Sequence, residues 1–102
     1  MPRSAVAEFL ENFADRIEAR SEEIRTAAAE ETALPCDSRL VGELGRTTGQ
    51  LRQAAAAART VSWCLPTIDT ENGIRSCYGA IGPVAVFGPN NCLLYTSPSP
   101  RD

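Results

Sequence analysis

The chain has 102 residues and a formal net charge of -3, and 43% of its residues are hydrophobic, so it forms one modest domain or part of one. It contains no histidine and no lysine, which excludes Ser-His and Cys-His nucleophile pairs, histidine zinc sites and Schiff-base lysines from these residues. Scattered arginines in an acidic chain argue against a nucleic-acid partner, and no apolar run reaches the ~20 residues that cross a bilayer, so we expect a cytoplasmic protein without a membrane partner.

The first third of the chain has the apolar spacing of two amphipathic helices. Six apolar residues recur at spacings that include three, four and seven, which places them on one helical stripe: Val6, Phe9, Leu10, Phe13, Ile17 and Ile24. Ser4 is a suitable N-cap, and Arg20–Ser21 is the predicted break between the two helices. The second helix should end before Leu34–Pro35, because helical geometry is unfavourable for a residue that precedes proline.

A third helix is predicted to begin after a cap at Asp37 or Ser38 and to end at about Val61. Its apolar positions keep the helical period and are Leu40, Leu44, Leu51, Ala55 and Ala58. Three glycines, at positions 42, 45 and 49, lie on one face of this helix, although each costs about 1 kcal/mol relative to alanine. Such a smooth face predicts close packing against a neighbouring element.

After Trp63 the pattern changes to short β-rich segments. Pro66–Asp69 and Ile74–Tyr78 flank Asn72–Gly73, a strong turn signal, and predict a hairpin or two edge strands. The run Gly82–Gly88 is almost continuously apolar, as in a strand that is covered on both faces of a parallel sheet. Because one strand cannot form such a sheet, its partner strands are expected to lie elsewhere. The predicted fold class is therefore α/β, with three helices followed by short strands.

Four cysteines stand far apart in the sequence, at Cys36, Cys64, Cys77 and Cys92. There is no Cys-x-x-Cys pair and no histidine to complete a ligand set, so we expect no metal site. Four cysteines allow three disulfide pairings, but nothing in the sequence favours an oxidising setting. Free thiols in half-buried positions are therefore the expected state.

The composition shifts abruptly at Cys92, where residues 92–102 form a proline- and serine-rich tail. All eleven residues look like the conceptual translation of a sequencing-library adapter, so we interpret this segment as non-native and exclude it from the fold. A Ser-Pro phosphorylation tail and a polyproline-like terminus are the alternatives, and all three interpretations predict disorder.

Four blocks before the tail, taken in order, resemble the NAD(P)-dependent aldehyde dehydrogenase superfamily. They are Phe9–Glu18, Glu31–Pro35, Gly42–Arg52 and Ile81–Asn91, and the resemblance extends from about Ser4 to Asn91. Its most specific motifs are the Gly-Gln-Leu-Arg ending of the third block and the Phe-Gly-x-x-Asn ending of the fourth. Within the superfamily the chain looks most like the branch that oxidises α-ketoglutaric semialdehyde, usually with NADP.

The resemblance implies that residues 1–91 are an incomplete piece of a Rossmann-like cofactor-binding domain, with residues 66–80 in an arm used for oligomerisation. It implies a homo-oligomeric parent oxidoreductase that oxidises an aldehyde to a carboxylic acid with NADP or NAD, through a cysteine thiohemiacetal. The nucleophilic cysteine, base glutamate, cofactor-binding lysine and glycine-rich turn of the family have no counterpart here. We therefore expect the chain by itself to be inactive.

The resemblance also assigns the candidate site residues. Phe87, Gly88, Pro89 and Asn90 match loop positions beside the cofactor, and Asn91 matches the asparagine whose side-chain amide helps to hold the oxyanion. Many family members carry an aromatic residue at the position of Asn90. Without the resemblance, Asn91 would be interpreted as a turn residue, because Gly-Pro-Asn-Asn is an ordinary loop composition.

A function of a different class is a small helical protein-binding module without catalysis, in which the amphipathic helices offer an apolar groove to a partner. The two hypotheses differ over residues 82–91, because a binding module does not require a buried strand that ends in an asparagine loop. Dithiol redox chemistry is a third hypothesis, and the absence of closely spaced cysteines in the sequence disfavours it.

The interpretation of residues 92–102 predicts the outcome of resequencing the source DNA from an independent library. The reading frame should continue past Asn91 into residues that resemble Phe-Pro-Leu, without the proline- and serine-rich tail. An in-frame stop codon directly after Asn91 would contradict the enzyme hypothesis.

Overall fold

Three α-helices make up most of the residues that the structure, a computed structural model, describes, which are residues 2–87. The elements in chain order are α1 (Arg3–Ala19), α2 (Ser21–Thr32), a π-helical turn (Cys36–Leu40), α3 (Val41–Thr60), a 3-10 turn (Ser62–Cys64), β1 (Thr67–Asp69) and β2 (Ile74–Ser76). The predicted order of three helices followed by short strands is confirmed.

The junction of α1 and α2 lies at Arg20, as the sequence predicted. Its backbone leaves helical geometry at φ -110° and ψ 22°, and its N–H donates to the Ile17 carbonyl over 3.2 Å. The predicted N-cap at Ser4 is wrong, because α1 begins at Arg3 and Pro2 is its N-cap residue. The Pro2 carbonyl accepts a hydrogen bond from the Val6 N–H at 3.1 Å and closes the first turn from outside the helix.

Helices α2 and α3 are each followed by a residue whose backbone lies in the left-handed region. Ala33 follows α2 with φ 58° and donates its N–H to Ala29, and Val61 follows α3 with φ 59° and donates to Ala57. Both bonds satisfy carbonyls that a helix end leaves unpaired. The predicted ends, before Leu34–Pro35 and at about Val61, are therefore confirmed.

The start of α3 differs from the prediction of a cap at Asp37 or Ser38. The chain instead enters the helix through the π-helical turn, in which the Leu40 N–H donates to the Pro35 carbonyl over 3.3 Å. No side chain caps either element at its N-terminus. Leu40, which ends this turn, is the largest fully buried side chain among residues 2–87.

The core lies mainly between α1 and α3, which pack side by side in opposite directions. Glu11, in the middle of α1, bonds to Arg59 at the end of α3, and Glu18, near the end of α1, bonds to Arg52, which precedes Arg59 in α3 by seven residues. Ala7, Ala14 and Ala55 are fully buried. These small side chains let the two helix backbones approach closely.

The predicted apolar stripe of α1 is only partly the buried face. Phe9 is 63% exposed and Phe13 47% exposed, and their rings stack on one another with centroids 6.1 Å apart. The buried positions are Ala7 and Ala14, which are small and contribute little to a hydrophobicity pattern. The largest apolar residues of the stripe therefore face away from α3.

The glycine face of α3 does not make the close contact that was predicted. A Cβ added at Gly42, Gly45 or Gly49 would meet no atom within 4 Å in the described part of the chain. Instead, α3 buries the side that carries Leu44, Thr48 and Ala55.

The predicted hairpin is confirmed by the antiparallel pairing of β1 and β2. Ile68 pairs with Arg75 at the centre of the register. Asp69 shapes the turn, because its Oδ1 accepts the Asn72 N–H at 3.1 Å and its Oδ2 accepts the Asn72 side-chain amide at 2.7 Å. These bonds lower the pKa of Asp69, chiefly through the Asn72 side chain. Gly73 occupies the left-handed region at φ 66°, where glycine has no steric penalty.

The prediction of an α/β fold with part of a Rossmann-like domain is wrong for the residues that the structure describes. Their one sheet is the two-stranded antiparallel hairpin, and the remainder is mostly helical. The run predicted as a buried parallel strand forms no strand over residues 82–87, which are all exposed. A strand covered on both faces requires neighbouring strands, and residues 2–87 supply none beside this run.

Ala55 is fully buried in α3, the helix that packs against α1. We expect Ala55→Leu to lower the free energy of unfolding by about 1–3 kcal/mol, because overpacking forces the helices apart. Ala54→Leu, on the adjacent exposed position, is the matched control and should change it little. Thermal unfolding followed by far-UV circular dichroism measures both, and equal effects of the two substitutions would contradict this packing.

Candidate functional site

Phe87 is the one predicted site residue that lies in the described part of the chain. Its side chain is 94% exposed, and Val86 before it is 49% exposed. Gly88, Pro89, Asn90 and Asn91 lie outside the described residues. Residues 2–87 therefore do not by themselves gather the predicted site.

The same exposure tests whether the described residues fit a nicotinamide cofactor. A cofactor pocket encloses most of its ligand with apolar walls and a few placed polar groups. Phe87 has no such wall around it, since residues 81–87 are all exposed. Around Phe87, residues 2–87 thus do not by themselves form a nucleotide pocket.

A groove of about 300 Å³ runs between the helices. It is lined by Glu18, Ser21, Arg25, Val41, Leu44, Gly45 and Thr48. More than half of these side chains are charged or carry a hydroxyl group. The exposed lining surface is nevertheless more apolar than polar, so the groove does not separate the binding-module hypothesis from the enzyme hypothesis.

Two arginines of α3 hold the carboxylates of α1. The Arg52 Nη2 donates to Asp15 Oδ1 over 3.0 Å and to Glu18 Oε2 over 2.8 Å. Arg59 binds Glu11 through both of its terminal nitrogens, with Nη2 and Oε2 2.7 Å apart. A two-pronged pair of this kind fixes orientation as well as distance.

These ion pairs shift the titration of their members in the expected directions. The hydrogen bond from Arg59 lowers the pKa of Glu11 below its ordinary value of 4.5, and the same bond raises the pKa of Arg59. The bond to Asp15 raises the pKa of Arg52. The groups are exposed, so their role is to set the register of the helices rather than to provide reactive groups.

Glu43, in the first turn of α3, is a buried carboxylate. It is 5% exposed, its Oε1 accepts the Arg39 Nε–H at 3.0 Å, and its Oε2 has no hydrogen-bond partner. A negative charge near a helix N-terminus interacts favourably with the helix dipole. The hydrogen bond from Arg39 and the position in the first turn of α3 both favour a carboxylate at Glu43.

The sequence analysis missed the bridging of α1 to α3 and the burial of Glu43. A signal for the first was present: Arg52 and Arg59 are seven residues apart, and Glu11 and Glu18 share that spacing on the other helix. Complementary charges at a common spacing indicate facing helices. Nothing in the sequence marks Glu43 as buried.

Three described cysteines carry free thiols: Cys36 and Cys64 are half-buried and Cys77 is exposed. Among residues 2–87, no group of three or more side chains of the metal-binding types is placed to hold an ion. None of the helices in this range combines the length and hydrophobicity needed to span a bilayer.

Two curated proteins are similar to the chain over nearly its whole length. It is 38% identical to the alpha-ketoglutaric semialdehyde dehydrogenase of Acinetobacter baylyi over 105 aligned residues, covering 94% of the chain and 20% of that protein. It is also 38% identical to alpha-ketoglutaric semialdehyde dehydrogenase 2 of Azospirillum brasilense, covering 91% of the chain and 19% of that protein. The chain thus spans about one fifth of each relative's length.

These similarities confirm the resemblance to aldehyde dehydrogenases that the sequence motifs indicated. No protein-family profile matches the chain. No solved structure matches it either.

The Glu11–Arg59 pair predicts a pH dependence of stability. Because its pKa is lowered in the folded state, Glu11 stabilises the fold fully above its ordinary value of 4.5, and this contribution is lost as the pH falls through the lowered pKa. We expect Glu11→Gln to reduce stability at neutral pH and to flatten the decline in acid.

The matched control is Glu30→Gln on the exposed surface of α2. Urea unfolding at a series of pH values measures both variants. A Glu11→Gln chain whose stability declines in acid as steeply as that of the unmodified chain would contradict the pair's role.

Proposed function

We propose that this chain is part of an aldehyde dehydrogenase, an oxidoreductase that converts an aldehyde to a carboxylic acid with NADP or NAD as the hydride acceptor. The observation that supports this most strongly is the 38% identity to two alpha-ketoglutaric semialdehyde dehydrogenases along more than nine tenths of the chain. Their names favour α-ketoglutaric semialdehyde, an aldehyde that also carries a carboxylate, as the substrate of the parent enzyme.

Asn91 is the residue of this chain to which we assign a catalytic role. When a cysteine thiolate adds to an aldehyde, the carbonyl oxygen becomes an alkoxide. The side-chain amide of Asn91 would donate an N–H to that oxygen and stabilise its charge without exchanging a proton. Loss of one such donor typically costs about 3 kcal/mol of transition-state stabilisation. The attacking cysteine belongs to a part of the parent enzyme for which this chain has no counterpart.

Residues 87–90 are assigned to the loop beside the cofactor. The full exposure of Phe87 supports this, because a large apolar side chain with no cover in residues 2–87 gains free energy when another surface buries it. Gly88, Pro89 and Asn90 stand between Phe87 and Asn91 in the sequence. The cofactor, when bound, supplies the hydride acceptor. The residues of the loop would position it.

Residues 2–80 provide the support for this loop in our proposal. The helices α1 and α3 form a braced pair, and the hairpin within residues 66–80 presents Ile68 and Ile74 to solvent at 68% and 57% exposure. Apolar residues on a two-stranded sheet with open edges favour contact with a further chain segment. We propose that this segment contributes to the assembly of a homo-oligomeric parent enzyme.

The catalytic assignment predicts the effect of Asn91→Ala in the full-length parent enzyme. We expect kcat to fall by about 10²- to 10³-fold, because the alkoxide loses a preorganised donor. The assay measures NADPH or NADH formation with α-ketoglutaric semialdehyde. Gln53→Ala, an amide-to-alanine change on the exposed face of α3, is the control and should leave kcat unchanged.

Two outcomes would contradict the proposal at different points. A full-length parent enzyme that oxidises no aldehyde in a broad panel would overturn the function itself. An active parent enzyme in which Asn91→Ala has the kcat of the unmodified enzyme would overturn only the role of Asn91. Residues 1–102 alone should form no NADPH or NADH.

A further inference from the structure

The end of α3 and the base of the hairpin bring two cysteines together. The Tyr78 N–H donates to the Cys64 carbonyl over 2.8 Å, which ties the segment after β2 to the 3-10 turn after α3. Cys77 is the residue directly before Tyr78. One backbone hydrogen bond therefore joins the peptide units of Cys64 and Cys77.

This bond limits the distance between the two cysteines. The Cys64 carbonyl oxygen and the Tyr78 nitrogen are each two covalent bonds, or about 2.4 Å, from the Cα atoms of Cys64 and Cys77. With the 2.8 Å hydrogen bond between them, the two Cα atoms are at most about 7.6 Å apart, and less wherever the path bends. Disulfides join Cα atoms roughly 4.4–6.8 Å apart, most often about 5.5–6 Å, and this whole range lies within the bound that the hydrogen bond sets.

Neither cysteine is held in a disulfide within the described residues. Cys64 and Cys77 are free, Cys77 is exposed and Cys64 is half-buried. A groove lined by Leu65, Thr67, Ser76, Cys77 and Tyr78 gives a small reagent access to Cys77, which is therefore the first thiol to react. Cys36 lies in the π-helical turn before α3, at the opposite end of that helix, and has no comparable partner among residues 2–87.

We propose that Cys64 and Cys77 form a reversible intrachain disulfide, a modification site that closes the hairpin onto the end of α3. The oxidant is a low-molecular-weight disulfide such as oxidised glutathione. The Cys77 thiolate attacks one of its sulfurs, forms a mixed disulfide and releases one thiol. The Cys64 thiolate then attacks the Cys77 sulfur and releases the second thiol. Each cysteine loses a proton, the pair gives up two electrons, and the small disulfide is reduced to two thiols.

The modification matters because of where it acts. The segment from Val61 to Leu65 connects α3 to the hairpin, and both of these residues have positive φ, 59° and 41°. Side chains other than glycine are strained in that region, so this connector is held in place by its surroundings. A disulfide across its end would fix the hairpin covalently in the orientation that the Tyr78–Cys64 bond defines. The hairpin would then be less free to move relative to α3 in the oxidised chain than in the reduced chain.

The test measures which cysteines pair. The full 102-residue chain is equilibrated with oxidised and reduced glutathione in native buffer and, in parallel, in guanidinium chloride. After free thiols are alkylated, cleavage at arginine and at aromatic residues leaves each of the four cysteines on its own peptide, and mass spectrometry quantifies every pairing. We expect Cys64–Cys77 to dominate in native buffer and its share to fall several-fold in denaturant.

The denatured sample shows how often Cys64 and Cys77 pair merely because they are close in the sequence, and the native share is compared with that value. If the share of Cys64–Cys77 is the same in both conditions, or if Cys36 or Cys92 dominates the native pairs, the proposal is wrong. Tyr78→Pro removes the N–H donor and should lower the native share toward the denatured value. Ala80→Pro, two residues beyond the bond, is the matched control and should keep the native share. An unchanged share in Tyr78→Pro would also overturn the proposed geometry.

Discussion

The antiparallel contact of α1 with α3 is the interaction on which the other features of the structure depend. Its buried centre consists of small side chains, Ala7, Ala14 and Ala55, so apolar burial there is modest. Small residues give close approach, but a smooth alanine surface does not by itself fix one register. The arginines at positions 52 and 59 supply that register, because each reaches specific carboxylates on α1.

Once this helix pair is fixed, the direction of the following chain is fixed as well. Val61 turns the backbone out of α3 in left-handed geometry, and the Cys64 N–H donates to the Val61 carbonyl at 3.1 Å. The Tyr78–Cys64 bond then attaches the far side of the hairpin to the same turn. The connector from Val61 to Leu65 thus has a residue with positive φ at each end, and it sets where the hairpin lies relative to the two helices.

The sequence predicted the local elements well and the packing poorly, for a physical reason. Helix ends and the hairpin depend on neighbours in the chain, such as Pro35 after α2 or Gly73 in the turn, so their signals are local. The prediction of the start of α3 failed because the Pro35 carbonyl, rather than the side chain of Asp37, accepts a backbone N–H of the turn that leads into the helix. A backbone acceptor has no signature in the sequence.

The failures at longer range have a different cause. Phe9 and Phe13 have the strongest hydrophobic signal on α1, but the face that α3 covers is the alanine face. The apolar run up to Phe87 reads as a buried strand, but burial on both faces is a property of the neighbours as much as of the run itself. The candidate site could be located only through motif resemblance, because the chemistry of an asparagine loop depends on groups contributed by other segments.

The exposed apolar residues and the comparisons lead to the same conclusion about what surrounds this chain. Ile81, Val84 and Phe87 are 91%, 64% and 94% exposed, and burying a large apolar side chain contributes about 1.5–3 kcal/mol each. A binding module would gather such residues into one groove, whereas here they follow one another along the chain, and none of the three lines the groove among the helices. The chain spans only about one fifth of the relatives it matches. Apolar residues that follow one another along a segment without regular secondary structure gain free energy when further surfaces cover them, which supports the proposal that this chain is part of a larger enzyme.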